Sequence, residues 1–220
     1  MNTLSATEVT KSFGSKSILD AISIQCATGE VVGLFGRNGC GKSTLLKILF
    51  GTASADSISL AINGKMVEPA KVIPQQIIGY LHQEPFLPKG AKVRDVIPMF
   101  FNDGAKQDKV FYAPGIAKVT DTKVGKLSMG QLRYLELLLI GNLDHPFLLL
   151  DEPFSMVEPL YKEHIKKFLT QLKTQKGIII TDHYYNDVLS VSNRNLLLQD
   201  VKILTISNQS ELAAHGYLPG

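Results

Sequence analysis

The stretch Gly36-Arg37-Asn38-Gly39-Cys40-Gly41-Lys42-Ser43-Thr44 decides the reading of this chain, because it fits the phosphate-binding pattern G-x-x-x-x-G-K-[ST] in the setting that pattern needs. Residues 30–35 read as a buried strand, and residues 43–50 place Leu45, Leu46, Ile48 and Leu49 on a mostly apolar helix. The glycines let backbone N–H groups turn inward around an anion, and the helix N-terminus adds partial positive charge. Lys42 is placed to reach the β- and γ-phosphates of a nucleotide, and Ser43 to offer its hydroxyl to Mg²⁺. Gly36, Asn38, Gly39, Cys40, Gly41 and Thr44 complete the expected cradle. A glycine-rich turn that carries Lys-Ser by chance is the plain alternative, and the strand and helix flanks weigh against it.

Working outward, 220 residues with 45% hydrophobic content suit one sizeable α/β domain with a real core. A formal net charge of +3 is mild for this length and gives no argument for a nucleic-acid partner. Cys26 and Cys40 read as free thiols in a reducing compartment, since a disulfide at Cys40 would distort the glycine turn. The N-terminus shows no signal-peptide pattern. The most apolar run, 132–150, is interrupted by Arg133, Glu136, Asn142, Asp144, His145 and Pro146, so no membrane span is expected. Work on a membrane would go through a partner.

Along the chain, residues 4–13 and 18–27 read as a hairpin of strands. Phe13 is by itself a strand-end apolar residue or an aromatic platform for a base. Residues 57–62 and 76–81 read as strands, with Asn63-Gly64 expected to turn one into the other. Pro85 and Pro88 end the second strand, leaving Gln83 at its tip as a surface residue. Residues 93–126 read as a small, partly helical insertion. Ser128 then looks like the N-cap of an apolar helix over 132–140, with Gly130 and Gln131 in its first turn, a second anion site made of orphan N–H donors. Residues 147–150 make a buried strand that delivers Asp151 and Glu152 at the end where open α/β sheets bind ligands. Asp151 suits the Mg²⁺ shell; Glu152 can orient or deprotonate a water. An amphipathic helix over 159–173 and a buried strand over 177–181, ending at Asp182-His183, follow. His183 alone reads as a structural cap. A terminal hairpin (194–199, 202–206) and a short helix (210–214) close the pattern.

Together these residues resemble the ATP-binding subunit of ABC transporters over nearly the whole chain. The match lies in order and spacing: 36–43 for the Walker A loop, Gln83 for the Q-loop, 127–131 for the signature, 147–152 for Walker B with its glutamate, His183 for the switch histidine. Phe13 falls where that family stacks adenine. The resemblance implies an α/β fold with a P-loop NTPase core, a mostly parallel sheet flanked by helices, an N-terminal antiparallel β subdomain and a small helical subdomain. It implies one ATPase domain over 1–220, with 1–82 and 143–220 as the RecA-like core and about 83–142 as the helical part. It implies Mg²⁺-dependent ATP hydrolysis that powers transport through a separate transmembrane permease, at the inner face of the cytoplasmic membrane.

The implied roles are Glu152, His183, Lys42 and Gln83 in catalysis and Ser43, Gln83 and Asp151 around Mg²⁺. Ser128, Gly130 and Gln131 would reach the nucleotide of a second ATPase subunit packed head to tail, expected to be an identical chain. Met129 and Glu158 depart from the family's glycine and aspartate. Asp151 to Pro159, with Arg133 and Glu136 after the signature and Ile180-Thr181-Asp182-His183, is similar to the lipopolysaccharide-export and branched-chain amino-acid-import branch, although the insertion is shorter. A soluble ABC ATPase acting on nucleic acid or the ribosome, and a degenerate regulatory subunit, are the competing readings.

Overall fold

Residues 1–217 are described in this computed structural model. β1 (Thr3–Phe13) and β2 (Lys16–Ala27) pair antiparallel and bury alternate residues, Leu4, Ala6 and Val9 facing Leu19, Ile22, Ile24 and Cys26. One face is dry and the other wet, as an antiparallel sheet allows. The chain then leaves this sheet. β3 (Val31–Phe35) is buried along its whole length and runs straight into the phosphate-loop turn and α1 (Lys42–Phe50). β4 (Ser57–Ile62) returns to pair antiparallel with β1.

At Asn63-Gly64 the structure corrects the expected hairpin. The turn leads into the two-residue β5 (Lys65–Met66), which pairs back onto β4. Residues 76–81 supply β6 (Ile78–Leu81) to the other sheet instead. Burial explains the choice: all four residues of β6 are covered, which fits a strand packed on both faces, whereas Lys65 and Met66 are exposed.

The insertion holds α2 (Val93–Phe100), α3 (Gly104–Phe111) and short 3₁₀ turns. α4 (Met129–Gly141) starts directly after Ser128, the N-cap read from the sequence, and Ser128 and Gln131 close a reciprocal capping box. Then come β7 (Phe147–Asp151), α5 (Pro159–Leu172) and β8 (Gly177–Thr181). α6 (Tyr185–Val191), which the sequence pattern did not announce, precedes β9 (Arg194–Gln199), β10 (Lys202–Ile206) and α7 (Gln209–Ala214).

The second sheet has the order β10-β9-β3-β8-β7-β6 and is parallel except for the β9–β10 hairpin. Side chains alternate across it with period two. Val31, Phe35, Leu148, Leu150, Ile178 and Ile180 enter one core with α2, α4, α5 and α6. Val32, Leu34, Leu149 and Ile179 enter another with α1 and the dry face of the first sheet. Among the described residues no helix is long and apolar enough to cross a membrane. The C-terminal ends of β3, β6, β7 and β8 thus open on one edge, and that edge carries the site.

Candidate active site

The turn between β3 and α1 requires glycine for steric reasons. Gly41 has φ of 113°, and a Cβ there would lie 2.8 Å from Ile18 Cγ2. At Gly36 a Cβ would meet Cys40 Sγ at 2.5 Å and Leu198 O at 2.7 Å. Lys42 is buried and folds back into the loop, its Nζ donating to Gly36 O at 2.6 Å and Arg37 O at 3.2 Å. The ammonium is therefore already held where the loop closes, on carbonyls that an incoming anion would compete with.

A cavity of about 300 Å³ is lined by Asn38, Gly39, Gly41, Lys42, Ser43 and Thr44 from the loop and α1, by Phe13 and Ile18 from the first sheet, and by Gln83, Glu152 and His183. Most of the expected site residues thus share one wall-to-wall space. Phe13 is 59% exposed, with Lys11 Nζ 5.2 Å from its ring centroid. Glu152 directly follows β7 with φ of 55°, held there by its N–H on Thr181 O. Its Oε1 lies 3.0 Å from His183 Nε2 and its Oε2 accepts from the Ser155 hydroxyl at 3.0 Å. Glutamate and histidine, apart in sequence, form one unit.

Some expected residues lie elsewhere. The Cys40 thiol lines a separate cavity of about 200 Å³ with Arg37, Leu198 and Tyr217, and its N–H donates to Arg37 O, so the side chain faces the back of the loop. Asp151 is buried behind Glu152, its Oδ1 accepting from Thr181 Oγ1 at 2.7 Å and its Oδ2 from the Tyr80 hydroxyl at 3.2 Å. Burial and the adjacent carboxylate push the Tyr80 phenol well above its usual range, which keeps it a proton donor to Asp151. Ser128, Gly130 and Gln131 sit at the N-terminus of α4, outside this cavity. The Ser128 hydroxyl and the Gln131 N–H are committed to each other at 3.2 Å. A Cβ on Gly130 would fall 1.9 Å from Glu158 Oε2, so the longer carboxylate at 158 fills the space that glycine leaves.

The sequence reading missed Tyr80, Thr181, Ser155 and Asp182. Asp182 is fully buried and takes N–H bonds from Phe154 at 2.7 Å and Tyr184 at 3.0 Å, fixing the segments after Glu152 and before α6. Burial raises its carboxyl above the usual range against those bonds. A hydroxyl inside an otherwise aliphatic strand, as at Thr181 in Gly-Ile-Ile-Ile-Thr, was the available signal. To an anion the set offers one ammonium and a helix N-terminus, and to a cation the Ser43 and Thr44 hydroxyls with the Asp151 and Glu152 carboxylates. No cluster of three or more metal-ligating His, Cys, Asp or Glu occurs among the described residues. The Ser43 hydroxyl and the Asp151 carboxylate are oxygen ligands of the kind Mg²⁺ takes when it also binds phosphate and water.

Comparison with known proteins gives consistent results. A family described as ABC transporter matches residues 19–155. The chain is 29% identical to a lipopolysaccharide export system ATP-binding protein of Acidithiobacillus ferridurans, covering 95% of this chain and 91% of that protein. It is 30% identical to an uncharacterized ABC transporter ATP-binding protein of Rhizobium meliloti, covering 97% and 83%. In fold it resembles a nucleotide-free ATP-binding cassette from an ABC transporter, with a TM-score of 0.83, 22% identity and coverage of 100% and 96%.

Proposed function

The chain belongs to the ABC transporter family, and on that premise we propose which of its residues do what. It is the ATP-binding, ATP-hydrolysing subunit of a transporter, a Mg²⁺-dependent ATPase. The observation that carries the assignment of roles is the single cavity shared by Lys42, Gln83, the Glu152–His183 pair and Phe13.

In the proposed mechanism Phe13 stacks the adenine, with Lys11 beside it adding positive potential toward the phosphates. The loop N–H groups and the N-terminus of α1 receive phosphate charge, and Lys42 exchanges its loop carbonyls for phosphate oxygens. Ser43, Gln83 and Asp151 would hold Mg²⁺, which when bound neutralises phosphate charge. Both Asp151 oxygens accept hydroxyl bonds, from Thr181 and Tyr80, which would hold the carboxylate in place for that role. Glu152 orients and deprotonates the attacking water; His183 keeps the carboxylate aimed and donates from Nε2. Phosphoryl transfer depends on such positioning more than on covalent chemistry.

We further propose that residues 83–142 act as a helical subdomain on a core made of 1–82 and 143–220. Two copies would pack head to tail, bringing Ser128, Gly130 and Gln131 of one to the nucleotide of the other. The partner is a separate transmembrane subunit, which keeps this chain at the cytoplasmic membrane surface.

Glu152→Gln tests the chemistry. Loss of a general base should lower ATP turnover about 10²–10⁴-fold while leaving nucleotide binding intact. Lys42→Ala should weaken both. Turnover by Glu152→Gln at the wild-type rate would overturn the assignment. Affinity purification in mild detergent tests the partner: a stoichiometric polytopic membrane protein is expected, and ribosomal or DNA-associated proteins in its place would refute it.

A further inference from the structure

Arg133 and Glu136 lie one turn apart on α4, 4% and 0% exposed, and neither lines the nucleotide cavity. β6 and β7 pair in parallel through Leu81 and Leu150, after which the two chains part toward Gln83 and Glu152. One guanidinium spans the place where they separate: Arg133 Nη1 donates to His82 O, and Nη2 donates to Asp151 O. Each acceptor immediately precedes one of the cavity residues. A planar fork of fixed spacing can hold two carbonyls at a set separation, which a single ammonium cannot.

Glu136 grips the same loop farther on. Its Oε1 accepts from Phe86 N–H at 2.9 Å and Leu87 N–H at 3.4 Å. Its Oε2 lies 3.6 Å from Arg133 Nη1 and has no hydrogen-bond partner among the described residues. Burial disfavours both charges, lowering the Arg133 pKa and raising that of Glu136. A buried ion pair is often no more stabilising than well-packed apolar residues of similar volume. This pair, however, also satisfies four backbone groups of the two loops, so it sets where those loops sit relative to α4.

We infer that Arg133 and Glu136 are positioning residues for hydrolysis, fixing Gln83 and Glu152 at once to the first turns of α4; this rests on the ATPase reading above. A shift of α4 then moves the Q-loop and the catalytic glutamate together through one side chain. The signature end of the helix and the hydrolytic site become mechanically one body.

The test compares Arg133→Lys, the double variant Arg133→Leu/Glu136→Leu, and wild type in the full chain. Arg133→Lys keeps the charge pair but not the fork, and the double variant removes both charges together, so that neither is left buried alone. For both, kcat should fall about 10–100-fold, the scale of a misplacement near 1 Å, with KM for MgATP little changed. Because the double variant also takes the partners from His82 O, Asp151 O and the Phe86 and Leu87 N–H groups, its melting temperature should fall, and kcat is compared at a temperature where both chains are fully folded. Full kcat in Arg133→Lys would overturn the inference, because charge balance without the fork would then suffice. Backbone amide exchange supplies a readout independent of turnover: Phe86 and Leu87 should exchange at least about tenfold faster in the double variant. Unchanged exchange there would also overturn it. A wild-type chain without ATPase activity would count against the activity reading, and the exchange rates would still decide the pair.

Discussion

Thr181→Val exchanges a hydroxyl for a methyl at a fully buried position whose Oγ1 donates to Asp151 Oδ1 at 2.7 Å. A hydrogen bond to a charged group contributes about 1.5–3 kcal/mol. The new methyl returns about 0.8 kcal/mol of burial, so the net loss should be about 1–2 kcal/mol. The Tyr80 hydroxyl, 3.2 Å from Oδ2, remains as the second donor and prevents complete orphaning of the carboxylate. For a chain of this length the melting temperature should drop by roughly 2–8 °C. The chain has no tryptophan, so urea unfolding is best followed by circular dichroism. Thr170→Val is the control, since its hydroxyl bonds Lys166 O on an exposed face and its loss should stay within about 0.5 kcal/mol. A Thr181→Val midpoint indistinguishable from wild type would show that Asp151 does not depend on this bond, and would undo the account of why β7 ends in a buried, pre-aimed aspartate.

Asp187 bears on acid stability. Burial opposes its ionisation, yet Lys162 at 2.7 Å and Lys166 at 2.8 Å hold its pKa below the ordinary 3.8. The stabilisation is therefore present above pH 3.8 and lost as pH falls through the lower folded value. Asp187→Asn should cost about 0.5–1 kcal/mol near neutrality, and its urea midpoint should converge on wild type well below that pH. Of the two thiols, Cys26 is buried with its pKa pushed up to about 12 and should resist a thiol reagent until the chain unfolds. Cys40 should react in the native state, and Cys40→Ala should keep ATP turnover within about twofold, because Cys40 lines a different cavity from Lys42 and Glu152; a large loss would place sulfur at the nucleotide. Phe13→Ala should weaken ATP binding by about 0.5–1.5 kcal/mol, measured with a fluorescent nucleotide, and unchanged affinity would remove Phe13 from the site.

The legible parts of the molecule were those governed by local rules. Buried runs such as Phe147-Leu148-Leu149-Leu150 announce a parallel strand because both faces must be apolar, and the phosphate loop announces itself because only glycine fits its turns. Asn63-Gly64 announced a turn correctly but not its partner strand, since sheet membership depends on burial far from the turn. Seven-residue α6 carries too little periodicity to be seen in Tyr-Asn-Asp-Val-Leu-Ser-Val. Motif spacing nominated Glu152 and His183 separately, while their 3.0 Å contact is a property of strands β7 and β8 lying side by side. The direction of the Cys40 thiol was likewise hidden, because a residue's place in a loop motif does not say which face its side chain takes.

The sheet β10-β9-β3-β8-β7-β6 is also a partition. Leu148 and Leu149 are consecutive in sequence, yet one packs with the core that holds α4 and the other with the core that holds α1. Residues that share no packing partner should contribute to folding free energy independently. A Leu148→Ala/Leu149→Ala double variant should therefore lose close to the sum of its single losses, whereas Leu148→Ala with Ile180→Val, drawn from one face, should not. Core variation on the side of the first sheet can then proceed without retuning the side that carries Arg133, so that evolution, or an engineer, can treat the two halves of this small protein as separately adjustable.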